Sequence, residues 1–257
     1  MGGFFFDSSA RSALGLVRSG NEDSAFVSGS LIAVADGMGG HAGGEIASKL
    51  AIKTLQSLTP MLTDTTIDPD STEDLLLNSL HTIDSEIGEY AREAIELRGM
   101  GTTLTALLAH NDTIALLHVG DSRCYRLRGN TFEQLSNDHT VVQELINQGA
   151  ITATEAVDHP QRSVLTQALM GDGDIVPLLQ IYEAQENDRY LLCSDGLSAV
   201  LTEKEIKALL KKSDKEAAIK ALVDATYIQG APDNITIVIA DLTRQQVNVN
   251  EVLGAAL

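Results

Sequence analysis

The stretch from residue 102 to 136 limits this chain most tightly. It holds four short β-prone runs, LTALLAH, TIALLHV, RCYRLR and TFEQLS, parted by Asn-Asp, Gly-Asp-Ser and Gly-Asn turn signals. Consecutive strands joined by such turns predict an antiparallel meander.

The flanking segments fit a layered fold. Residues 24–27 and 31–36 read as strands bracketed by Gly and Ser. After the glycine-rich DGMGGHAGG, Ala47, Leu50, Ala51, Leu55 and Leu58 recur at helical spacing, followed by a polar, acidic connection over 59–71. Leu76, Leu80, Ile83, Ile87, Tyr90 and Ala94 then mark a long amphipathic helix. Residues 138–172 form an excursion from the sheet, with helices at 141–148 and 154–157 and a break at His159-Pro160. Strands return at 175–182 and 189–194, helices at 202–211 and 215–227, and a last strand at 234–242. Without regular βαβ alternation, the expected fold is α+β: two antiparallel sheets covered by antiparallel helices. One domain is expected over 1–244, with a loosely held tail over 245–257.

Composition excludes several function classes. With 36 acidic against 18 basic residues, the net charge of -18 repels polyanions, so nucleic acid is not an expected partner. Cys124 and Cys193 lie in apolar strand-like runs, as small buried hydrophobes rather than a disulfide framework or thiolate metal site. Neither has the downstream glycine-rich, arginine-ended loop of a cysteine phosphatase. There is no basic leader region and no apolar run of about 18 residues, so the expected setting is cytoplasmic, with no membrane partner in the chain as given.

The chemistry lies in the acids at strand ends. Asp36 follows LIAVA, Asp121 follows IALLHVG, Asp195 follows RYLLCS, and Asp233 precedes NITIVIA. Any one of these alone reads more readily as a turn residue. Together, if close in space, they would repel unless a cation sat among them, and hard oxygen donors select Mg²⁺ or Mn²⁺. Gly37, lacking Cβ, could offer its carbonyl as a further ligand. Arg18, in VRSGNED, is either a surface turn residue or a fork matched to phosphate oxygens.

As an ordered set, GLVRSGNEDS, VADGMGGHAGGEIAS, GMGTTLTALL, HVGDSRCYRL, LLCSDGL and GAPDNITIVIADL resemble the bacterial form of the metal-dependent, type 2C protein serine/threonine phosphatases. NDHTVVQELINQGAIT and HPQRSVLTQALMGD extend the match through the excursion, which resembles the family's flap. The resemblance implies a four-layer α-β-β-α sandwich that hydrolyses phosphoserine and phosphothreonine through a hydroxide bridging two metal ions. It further implies Asp36 bridging two metals, the Gly37 carbonyl on the second, and Asp195 and Asp233 on the first. Glu22 and Asp23 would hold metal-bound waters, Arg18 the substrate phosphate, and Asp121 with Asp195 a third ion. Phosphoproteins served by a bacterial serine/threonine kinase are the implied partners, and a monomer the expected state. Met38 stands where eukaryotic members carry histidine, which leaves His41 as the nearest candidate general acid. His139 and His159 are expected to shape access, and His118 to be a satisfied core or interface residue. The rivals are a catalytically silent regulatory member and a two-metal nuclease.

Overall fold

The computed structural model describes residues 3–39, 43–64 and 67–257. One sheet has the order β1-β11-β10-β7-β8, built from β1 (Phe5–Ala13), β7 (Arg123–Arg128), β8 (Thr131–Gln134), β10 (Arg189–Cys193) and β11 (Ile235–Thr243). The other runs β12-β2-β3-β5-β6-β9, from β2 (Asp23–Ser28), β3 (Leu31–Met38), β5 (Leu104–His110), β6 (Thr113–Val119), β9 (Leu178–Glu183) and β12 (Asn250–Gly254). A short β4 (Gly101–Thr102) pairs with β3. All the pairings within both sheets are antiparallel.

Helices α1 (Gly43–Leu62) and α2 (Pro69–Glu93) cover the sheet containing β3. α3 (Val141–Asn147) and α4 (Ala153–Ala156) belong to the excursion, and one-turn α5 (Asp195–Ser198) follows β10. With α6 (Glu203–Leu210) and α7 (Lys215–Ile228), α5 covers the sheet containing β11. The result is the expected α-β-β-α sandwich.

The central strands are buried on both faces, so they read as continuous apolar runs rather than alternating ones. In β3, Leu31, Ala33 and Ala35 pack toward the helices while Ile32 and Val34 pack between the sheets. β11 divides likewise, Ile235, Ile237 and Ile239 facing one way and Val238, Ala240 and Leu242 the other.

Three expectations need correction. The runs over 102–136 are not one meander: β5 and β6 pair in one sheet, β7 and β8 in the other, and the chain changes sheet at Gly120-Asp121-Ser122. Gly120 turns the chain there at φ +106°, a conformation that favours glycine. The polar connection begins later than residue 59, because α1 continues through Pro60 to bring Leu62 into the core. The tail is also not loose. β12 pairs with β2 and places Val252 and Leu253 against different cores, covering what would otherwise be an open strand edge. The opening segment, to which no strand was assigned above, supplies β1 along nine residue pairs with β11.

Candidate metal centre at the shared end of the sheets

Antiparallel register gathers the acids. Asp23 lies opposite Asp36 at the joined ends of β2 and β3. Asp195 opens α5 just beyond β10, and Asp233 stands just before β11. The Ser194 N–H donates to the Thr236 carbonyl at 3.0 Å, tying those two segments together. Asp121 sits in the crossover from β6 to β7. Arg18, Glu22, Asp36, Asp121, Asp195 and Asp233 line one cleft of about 670 Å³, whose far wall is formed by residues of 163–174.

Two glycines permit this closeness. A Cβ on Gly37 would lie 2.1 Å from the Gly44 carbonyl oxygen and 2.5 Å from that of Glu22. One on Gly196 would lie 1.9 Å from the Asn234 carbonyl oxygen. Glycine after each aspartate therefore reflects packed backbone, beyond any turn preference.

Supporting residues that sequence reasoning missed hold the acids in place. Thr103 Oγ1 accepts the Asp36 N–H at 3.0 Å and is itself 2.9 Å from Ser122 Oγ. Ser194 Oγ donates to the buried Asp23 carboxylate at 2.8 Å. Asn234 accepts the Glu22 N–H at 2.9 Å and donates to the carbonyls of Leu14 and Gly20, knitting the Arg18 loop to β11. GTT, CSD and DN were visible as motifs, but their hydroxyls and amide reach partners far along the chain. His118 is buried and bonded, its Nδ1 2.9 Å from Thr105 Oγ1 and its Nε2 3.1 Å from the Asn137 carbonyl. His139 accepts the Gly120 N–H at 3.1 Å and stacks on His118, so it braces the crossover. His41 lies outside the described residues.

The electrostatics are those of crowded, uncompensated carboxylates. Burial pushes Asp23 up to about 7, partly opposed by the Ser194 and Thr236 hydroxyls and reinforced by Asp195 and Asp233. Burial, then the charges of Asp23, Asp195, Asp121 and Asp233, raise Asp36 well above the carboxylate range. Asp121 rises to about 7 through burial and the proximity of Asp195 and Asp138. Burial and Asp233 raise Asp195, eased by a hydrogen bond with Asp36, and burial likewise raises Glu22. Arg123 does not neutralise Asp121 by an ion pair, because its fork grips Asp138, Nε at 2.9 Å and Nη2 at 2.7 Å from Oδ2. Arg18 is the one basic side chain among the described residues lining the cleft, 2.7 Å from Asp233 and 3.9 Å from Glu22.

Such a donor set fits hard divalent cations, since a bound cation would offset the burial and mutual repulsion that raise Asp23, Asp36, Asp121 and Asp195. Among the described residues no three acidic, histidine or cysteine side chains form a ready-made cage.

A family model described as protein phosphatase 2C matches residues 19–227. The chain belongs to the protein phosphatase 2C family. It is 42% identical over 236 residues to the serine/threonine protein phosphatase PstP of Mycobacterium tuberculosis, a match covering 91% of this chain and 44% of PstP. It therefore spans under half the length of that relative. The serine/threonine phosphatase stp of Listeria welshimeri is 34% identical over 247 residues, covering 92% of this chain and 96% of stp. The crystal structure of the PstP catalytic domain in complex with two manganese ions superposes with a TM-score of 0.84 at 38% identity, covering 93% of this chain and 99% of that one.

Proposed function

We propose that this family member is a phosphoprotein phosphatase acting on phosphoserine and phosphothreonine, with two Mn²⁺ or Mg²⁺ ions held at the shared end of the sheets. The observation that carries the reading is the convergence of Asp36, Asp195, Asp233 and Asp121 on one cleft with Arg18 at its rim. Asp36, the Gly37 carbonyl, Asp195 and Asp233 are the proposed ligands of the two ions, Glu22 and Asp23 acting through water. Asp121 with Asp195 is the proposed seat of a third. When bound, such ions polarise phosphoryl oxygens and lower the pKa of coordinated water toward neutrality.

The chain's own groups prepare the substrate. Arg18 is half exposed and paired with Asp233 through one nitrogen, so its fork can turn to two phosphoryl oxygens at little cost. Ser194 fixes Asp23, and Thr103 fixes the backbone of Asp36, so the proposed ligand acids are oriented before substrate arrives. Substrates of a bacterial serine/threonine kinase are the proposed partners, acted on by a cytoplasmic monomer through a single catalytic unit. Among the described residues no helix is long and apolar enough to cross a membrane.

The test is hydrolysis of a phosphothreonine peptide and of a DNA phosphodiester, each with Mn²⁺ added. Release of phosphate from the peptide alone is expected. Cleavage of DNA would favour the nuclease reading, and inertness toward both would favour a silent regulatory member.

A further inference from the structure

Outside the acid cluster, one buried carboxylate reaches into the cleft's far wall. Asp84 on α2 is 3% exposed, yet it faces no cationic side chain in its hydrogen bonds. It accepts three backbone N–H groups of a distant loop: Met170 at 3.0 Å and Gly171 at 2.8 Å on Oδ1, and Gly173 at 3.0 Å on Oδ2. One turn along the same helix face, Gly88 lies against Gly171 so closely that a Cβ on Gly88 would sit 2.6 Å from the Gly171 carbonyl oxygen. Gly171 itself holds φ +77°.

The loop thus seized is the rim of the site. Met170, Asp172 and Asp174 line the cleft with Asp36 and Asp195. Its two flanks are fastened independently: Leu169 exchanges backbone bonds with Thr102 at 3.0 and 2.9 Å, and Ile175 is buried in the core beneath α1 and α2. Between those anchors, Asp84 and the Gly88–Gly171 contact tie residues 170–174 to α2, and within the loop Asp172 accepts the Asp174 N–H at 3.1 Å.

We propose that Asp84 and Gly88 are positioning residues that hold the 170–174 rim in the shape that receives the polypeptide around a phosphorylated side chain. The inference rests on the phosphatase reading above. Charge-assisted bonds from one carboxylate to three amides fix backbone direction more firmly than side-chain contacts would. Asp172 and Asp174, both exposed, carry their charge to the rim, so a phosphopeptide with arginine beside the phosphothreonine is the appropriate probe. A small aryl phosphate carries no flanking polypeptide for this rim to receive, so it reports on the acid cluster alone.

Asp84→Asn and Gly88→Ala are assayed on that peptide and on p-nitrophenyl phosphate, well below their unfolding temperatures. The expected result is a KM for the peptide raised about tenfold, the scale of losing a hydrogen bond to a charged group. kcat/KM for p-nitrophenyl phosphate should stay within about twofold, since the acid cluster keeps its own supports. Amide exchange at Gly173 in Asp84→Asn should quicken by about tenfold for the same reason. An unchanged peptide KM in both variants, or parallel losses on both substrates, overturns the proposal in favour of a purely structural role. If neither variant folds, exchange in the wild-type protein decides: fast exchange at Met170, Gly171 and Gly173 overturns the anchor. A wild-type chain inert toward both substrates instead overturns the phosphatase reading, which separates the two failures.

Discussion

The outer part of the five-stranded sheet and the shared end of the two sheets use the same acids to opposite ends. On the sheet, carboxylates meet a guanidinium: Asp188 with Arg128 at 2.6 Å and Asp241 with Arg189 at 2.6 Å. At the sheet ends, Asp23, Asp36, Asp121 and Asp195 crowd together without an ion pair among the described residues, and Arg18 is the one basic side chain among those residues lining the cleft. Paired acids hold strands together, whereas unpaired ones store repulsion that a ligand can relieve. An acidic composition alone does not distinguish the two uses.

The largest expected effect breaks the unpaired region. Asp36→Asn or Asp195→Asn should lower Mn²⁺-dependent phosphopeptide hydrolysis by at least about a hundredfold, as losses of preorganised charge stabilisation do. Thermal unfolding of the metal-free variants should change little or move upward, because a repelling carboxyl has gone. Turnover near wild type in either would falsify the ligand assignment.

Asp121→Ala sharpens the boundary within that region. If Asp121 builds only a third, weaker ion site, calorimetric titration should retain two tight binding events and lose the weak one, with turnover down about tenfold or more. If it merely caps the crossover, the variant should instead lose about 1 kcal/mol of stability, by analogy with helix caps, and keep its activity.

The paired region predicts the reverse pattern. Asp188 is 1% exposed and accepts from Arg128, the Gln185 N–H and the Tyr190 hydroxyl. Asp188→Asn should cost about 2–3 kcal/mol of stability, read by denaturant unfolding, because it weakens charge-assisted bonds at a buried acceptor. kcat/KM measured well below the unfolding temperature should not move. A matching loss of activity would tie this sheet to the site after all.

The smallest effect is in pH. Asp23 and Asp121 titrate near 7 in the folded chain against an ordinary value of 3.8, so the folded state holds protons that the unfolded state has released. Their contribution to stability is complete below about 4 and is lost as pH rises through about 7. In chelator, wild-type protein should therefore lose more thermal stability between pH 5 and pH 8 than Asp23→Asn does, and Mn²⁺ should shrink the difference. Equal slopes for the two proteins would argue that Asp23 is already ionised.

Much of the molecule is local in origin and could be read from the chain. Two-sided burial makes β3, β5, β6, β10 and β11 apolar runs, and the 3.6-residue recurrence in α2 needs no tertiary knowledge. The acids after LIAVA, IALLHVG and RYLLCS were visible at strand ends because a turn must follow a strand. Pairing is different, since it depends on which distant edge offers unsatisfied N–H and C=O groups. Nothing local assigns FFDSSARSA to β11, joins NEVLG to β2, or sends β7 into the other sheet. The sequence by itself determined the long helices, the apolar central strands and the candidate acids, each a matter of neighbours within a few residues. Only the tertiary structure decided that Asn234 binds the Arg18 loop, that Arg123 is spent on Asp138, and that Asp84 reaches loop 170–174, because those bonds form only after the sheets have closed.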